Sequence, residues 1–209
     1  MLKVTKPFNQ LLCTLLFTGV CAFSVLGQET PNNQPSLVSP ETGIDYTPLQ
    51  EDLRQQQWLR ANETTRTLML QSTNRQEQGW ISQDEVKNIA CWDLKTIDDL
   101  WRQYSGGRFG FTVQFPIFVE TGNRPGRLVD IEAYDNFGTR IGWRKDGQWV
   151  QFKFNLEYDL EAPTGHLPNP RPEYQITGGR LNYTALTQRM VDCGLVAYSD
   201  PRRIPNYQP

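Results

Sequence analysis

Histidine occurs once in the 209-residue chain, at position 166, and cysteine only four times. One imidazole and cysteines spaced as these are cannot complete a zinc ligand set. No Ser or Cys stands in a nucleophile-elbow pattern, so hydrolase chemistry of that kind has no anchor. Neither charge sign is in excess: 21 basic residues oppose 23 acidic ones, interspersed along the chain. A nucleic-acid binder needs a basic patch to neutralise phosphates, and none is present. There is no internal repeat. What the chain does have is apolar matter, 38% hydrophobic and 11% aromatic with six Trp. That is too much for a chain disordered throughout and suits one folded domain with appendages.

The first residues differ from the rest. Lys3 and Lys6 precede an uncharged apolar run from Leu11 to Leu26, and Val25-Leu26-Gly27 offers a cleavage pattern. The run is shorter than the roughly 18 residues expected of a spanning helix, so residues 1–27 read as a signal peptide or an N-terminal anchor. Either form leaves the lysines cytoplasmic and places the remainder beyond the membrane, exported or attached through residues 11–26. Val20 before Cys21 argues against lipidation. Residues 28–44, with Pro31, Pro35 and Pro40, read as a linker, residues 45–196 as the domain, and 197–209 as a tail. Cys13 and Cys21 lie within the leader, leaving Cys91 and Cys193 either to pair or to remain buried thiols.

Helical periodicity dominates from Asp45 to Tyr104. Leu49 and Leu53, then Trp58, Ala61, Thr65, Leu68 and Met69, recur at three- and four-residue steps, predicting a helical hairpin or one broken helix. Ser82 with Glu85 is a capping-box pattern; Leu94, Ile97, Asp98 and Trp101 continue the stripe until Gly106 and Gly107 end it. Phe109–Val119 suits helix or strand, with Pro116 weakening both. Lys145-Asp146-Gly147 between apolar segments predicts a hairpin, and Leu181–Asp192 a closing helix. Ser105-Gly-Gly-Arg-Phe-Gly110 lacks the preceding strand and the Lys of a phosphate cradle and reads as a helix stop. Glu157, Asp159 and Glu161 alternate as either one face of a cation-binding strand or a solvated edge. A lone His166 between Gly and Leu-Pro reads as a turn or packing residue before an acid–base catalyst.

Gly79-Trp80, Asp93-Leu-Lys-Thr-Ile-Asp98, Leu100-Trp101, Tyr104-Ser-Gly-Gly-Arg-Phe-Gly-Phe-Thr-Val-Gln114, Ile141-Gly-Trp143 and Ala162-Pro-Thr-Gly-His-Leu-Pro168 follow one another in an order that resembles the genomes-uncoupled-four family. That family comprises porphyrin-binding regulators of magnesium chelatase in oxygenic phototrophs, and the likeness runs from Asp45-Tyr-Thr-Pro-Leu49 to the closing helix. It implies a mainly α-helical, compact domain with a short β-hairpin and a concave apolar surface. It implies no catalytic residues and no cofactor requirement, with protoporphyrin or magnesium protoporphyrin as bound ligand and partner.

By the same resemblance Phe152 occupies the place of an apolar ligand contact after the second hairpin strand. Arg171 and Arg180 are the basic groups available for the ligand's propionates. A flat apolar macrocycle with two carboxylates asks for that combination of aromatic wall and guanidinium fork. The chain departs from the family at Gln83, where an aromatic can face the ligand, which makes one wall more polar. Three roles are compatible with these features: an exported carrier, scavenger or sensor of tetrapyrroles; an interaction module that has kept the fold and lost the ligand; or a magnesium chelatase activator.

Overall fold

A computed structural model describes residues 36–150, 155–169 and 179–200. Helix α1 (Thr47–Arg54) and helix α2 (Trp58–Ser72) are separated at Gln56, whose φ of 56° breaks the helical backbone. The two helices pack on each other as a hairpin. Every residue of the predicted stripe, Leu49, Leu53, Trp58, Ala61, Thr65, Leu68 and Met69, is buried. Burial of these faces supplies the main driving force, since short isolated helices are marginal in water. Helix α3 (Gln83–Val86) opens on the predicted capping box: the Ser82 side chain accepts from the Glu85 N–H and the Glu85 carboxylate accepts from the Ser82 N–H. Helix α4 (Cys91–Tyr104) buries Leu94, Ile97, Asp98 and Trp101 and ends before the two glycines.

The segment left between helix and strand is helix α5 (Phe111–Glu120), with Pro116 inside it. Burial of Phe111, Phe115 and Phe118 on one face outweighs the lost backbone bond. Asp98 of α4 secures its start by accepting from both the N–H and the hydroxyl of Thr112, at 2.8 and 2.6 Å. Helix α6 (Ile131–Arg140) had no sequence expectation. Asp130 caps it, accepting from the Glu132 and Ala133 N–H groups, and Tyr134, Phe137 and Gly138 form its buried face.

Strands β1 (Arg144–Lys145) and β2 (Gln148–Trp149) pair antiparallel, Arg144 opposite Trp149, about a turn in which Asp146 and Gly147 both have positive φ. Trp149 stacks on Tyr134, with ring centroids 5.2 Å apart, and its indole occupies the space a Cβ on Gly138 would need, 2.6 Å away. Gly138→Ala is therefore expected to displace Trp149 and cost about 1–3 kcal/mol, the usual range for overpacking. Urea denaturation with near-ultraviolet circular dichroism of the Trp149 environment checks it. Helix α7 (Gly179–Asp192) closes the domain, its Tyr183 packed among Phe118, Tyr134, Phe137 and Trp143.

The domain begins before residue 45. Val38 bridges Asp45, Leu37 and Ile44 pack on the core, and the Thr42 hydroxyl donates to Asp93 at 2.9 Å. Pro40 and its neighbours build a turn here, the Ser39 hydroxyl accepting from the Glu41 and Thr42 N–H groups. Composition alone could not distinguish that turn from a linker. At the other end Tyr198 packs edge-on against Phe115 and Asp200 pairs with Arg124 at 2.9 Å, so packing continues past residue 196.

Cys91 and Cys193 are joined as a disulfide, with Cα atoms 5.3 Å apart, which replaces the alternative of a buried free thiol. No helix among the described residues is long and apolar enough to cross a membrane. The run at 11–26 lies outside them.

Candidate functional site

Arg180 sits in the first turn of α7, half-buried, and its guanidinium donates to the Val129 carbonyl at 3.2 Å. Among the described residues no carboxylate forms a salt bridge with it. Leu128, Ile131 and Leu181, close in sequence to this contact, are 45, 47 and 38% exposed, interleaved with the exposed charges of Arg127, Asp130 and Glu132. A cleft of about 510 Å³ opens beside the contact, lined by Thr121, Arg127, Leu128, Val129 and Asp130 among others. Its volume lies in the range of small-molecule sites.

A second element lies ahead of α3. Trp80 is 54% exposed, more than any other large apolar side chain among the described residues. Arg75 covers one face of its ring at 4.8 Å, donates to the Trp80 carbonyl at 3.3 Å, and is held by Glu85 at 3.2 Å. The cation orients the indole while leaving much of it in solvent. Gln83, the polar departure, starts α3 and is half-buried. Helix α3 packs on α7, and Arg189 of α7 donates to the Ile89 carbonyl at 2.8 Å. Arg75 and Trp80 were not singled out as site residues in the sequence. The usable signal was a Trp directly after Gly79 and just ahead of the Ser82–Glu85 box.

The loop between the hairpin and α7 is held by buried amides. Asn62 of α2 makes a reciprocal pair with the backbone of Asn169, donating to its carbonyl at 2.8 Å and accepting its N–H at 2.7 Å. Gln114 of α5 donates to the carbonyls of Gly165 and Pro168, both at 2.9 Å, and accepts from the Tyr183 hydroxyl at 2.7 Å. His166 is fully buried. Its Nε2 accepts from the Glu157 N–H at 3.0 Å, which leaves Nδ1 to donate to the Ile141 carbonyl at 2.7 Å. Burial holds its pKa below the ordinary imidazole value. With both nitrogens committed, His166 is a packing residue, as the sequence suggested.

Glu157, Asp159 and Glu161 do not line a strand. Glu157 pairs with Lys145, and Asp159 accepts from the N–H groups of Glu161 and Ala162. Because the segment forms no strand, neither a cation-binding face nor a solvated strand edge describes it, and the described residues contain no metal-binding cluster. Ser105 behaves as a helix stop, its hydroxyl accepting from the Phe109 N–H at 2.9 Å. Phe152 and Arg171 lie outside the described residues, on either side of segment 155–169.

The GUN4-like family profile matches residues 39–186. A Ycf53-like protein of Synechocystis is 33% identical over 141 residues, 65% of this chain and 57% of that protein. The chloroplastic tetrapyrrole-binding protein of Arabidopsis thaliana is 32% identical over 139 residues, 61% of this chain and 49% of that one. The chain thus spans about half the length of the curated relatives it matches. Among solved structures, GUN4 from Chlamydomonas reinhardtii superposes with a TM-score of 0.59 at 28% identity, covering 72% of this chain and 89% of that one. Ligand-free Arabidopsis GUN4 gives 0.53 at 29% identity, covering 68% and 98%.

Proposed function

Because the chain belongs to the GUN4-like family, we propose that it is a non-enzymatic tetrapyrrole-binding protein whose ligand is protoporphyrin or magnesium protoporphyrin. The observation that carries the reading is the family match over residues 39–186; the exposed, cation-oriented Trp80 ahead of α3 and the Arg180 guanidinium at the start of α7 offer it apolar surface and positive charge. A wall that stays apolar in water and a fork that accepts carboxylates are the two demands of a porphyrin. Phe152 adds wall area and Arg171 a second positive charge in this reading. The only imidazole is fully committed inside the fold, so a bound metalloporphyrin takes no histidine ligand.

The place of action in this proposal is beyond the membrane, as carrier, scavenger or sensor. Two independent features support it: the basic and apolar leader, and a disulfide, which persists in oxidising compartments. Gln83 supports a second reading, an interaction module that keeps the fold without the ligand, because it makes one wall more polar. Activation of magnesium chelatase is the role if the leader is not an export signal.

Mutation separates wall from fork. Phe152→Ala is expected to weaken porphyrins with and without free carboxylates alike, by about ten- to a hundredfold, the worth of one large apolar contact. Arg180→Ala or Arg171→Ala is expected to weaken only porphyrins with free propionates, and less in high salt. Fluorescence titration with protoporphyrin and its dimethyl ester reads both. Equal losses for the two ligands in the arginine variants would refute the assigned role.

A further inference from the structure

No residue between Leu70 and Ile81 is buried, so the chain leading from α2 to α3 has no core of its own. Polar contacts hold it instead, and most of them run through Arg75. The Arg75 carbonyl accepts from the Gly79 N–H at 2.9 Å, its Nε donates to the Trp80 carbonyl at 3.3 Å, and its guanidinium carbon lies 4.8 Å from the centre of the Trp80 ring. From α2, Arg66 donates to the Gly79 carbonyl at 2.7 Å. Glu85 ties the loop to α3: one carboxylate oxygen accepts from the Ser82 N–H at 2.7 Å, and the other pairs with the Arg75 Nε at 3.2 Å. A tryptophan 54% exposed on such a loop has several rotamers open to it unless a cation over the ring selects one.

We infer, resting on the porphyrin reading above, that Arg75 is a positioning residue for the Trp80 wall. It acts on the ligand only through the indole, which it holds in one orientation before the macrocycle arrives, so that binding does not have to order the ring. The guanidinium over one face leaves only the other face and the ring edge for a ligand. Its charge is already matched by Glu85, in a pair whose side chains are only 21 and 28% exposed, so Arg75 is not a further propionate site. Glu85 in turn fixes Arg75 against the first turn of α3, which makes the orientation of Trp80 depend on the same carboxylate that caps the helix.

The test is a double-mutant cycle on the full chain with the dimethyl ester of protoporphyrin, which has no free propionates for an arginine to attract. Binding is followed at the Soret band, because Trp80 variants alter the fluorescence. Arg75→Ala is expected to weaken binding about fivefold, the worth of one cation–π contact, and to have no further effect in a Trp80→Ala background. Glu85→Gln, which keeps an acceptor for the Ser82 N–H and gives up the charge, is expected to weaken binding about two- to threefold, again only while Trp80 is present. With isotope-labelled tryptophan, the heteronuclear Overhauser effect of the Trp80 indole is expected to fall in Arg75→Ala, while those of the buried Trp101 and Trp143 stay as in wild type. An Arg75→Ala loss that persists undiminished without Trp80, or a Trp80 indole whose mobility ignores Arg75→Ala, overturns the inference and leaves the porphyrin reading standing. If wild type binds neither protoporphyrin nor its ester, the porphyrin reading itself falls and takes the inference with it.

Discussion

Reduction of the Cys91–Cys193 bond, or its removal as Cys193→Ser, is expected to cost about 4–5 kcal/mol of stability, the chain-entropy value for a loop near 100 residues. The bond closes a loop with a sequence separation of 102, tying the first residue of α4 to the residue after α7. Most of the benefit comes from restricting the unfolded chain, so little change is expected in the folded spectrum. Domains of this size have only about 5–15 kcal/mol in total, and the reduced protein should therefore unfold at far lower urea concentration. Urea titrations with and without a dithiol reductant, read by circular dichroism, measure it. Coincident curves would show that the bond contributes nothing.

Asn62→Leu is expected to cost about 2–5 kcal/mol, because the Asn169 N–H and C=O would both lose their partner inside the protein and each such group costs about 1–3 kcal/mol. Asn62 is fully buried and isosteric enough with leucine that cavity effects are small beside this. The Asn62→Asp variant is a sharper probe. It keeps an acceptor for the Asn169 N–H but has no donor for its carbonyl, and it buries a carboxylate. If Asn62→Leu unfolds at the same urea concentration as wild type, the amide pair is not what holds the loop.

The helices were legible wherever an apolar stripe was long or a cap was explicit. The α2 stripe from Trp58 to Met69 and the Ser82–Glu85 box are both in place. Helix α6 escaped because its buried face holds only Tyr134, Phe137 and Gly138, and a glycine there reads as a breaker until Trp149 is seen to fill the space. The turn at 36–44 escaped because proline and serine serve linkers and turns equally, and only tertiary contacts such as Thr42 to Asp93 and Leu37 on the core distinguish them. Arg180 was singled out by resemblance alone. Its half-buried setting against Val129 depends on α6 and α7 meeting, which no local pattern encodes. Trp80 needed the fold for a different reason: exposure of a tryptophan is a tertiary fact, and six tryptophans in one chain otherwise read as core.

The measurement that bears most directly on the account is a fluorescence and absorbance titration of the full chain with protoporphyrin. Trp80, exposed and taken as part of the ligand wall in this proposal, is an energy donor to a bound macrocycle. Saturable quenching at micromolar ligand with a shifted Soret band is the predicted result, and Trp80→Phe should remove a substantial part of the quenching. Quenching that rises linearly without saturation, with an unshifted band, would contradict the tetrapyrrole reading and leave the interaction module in its place.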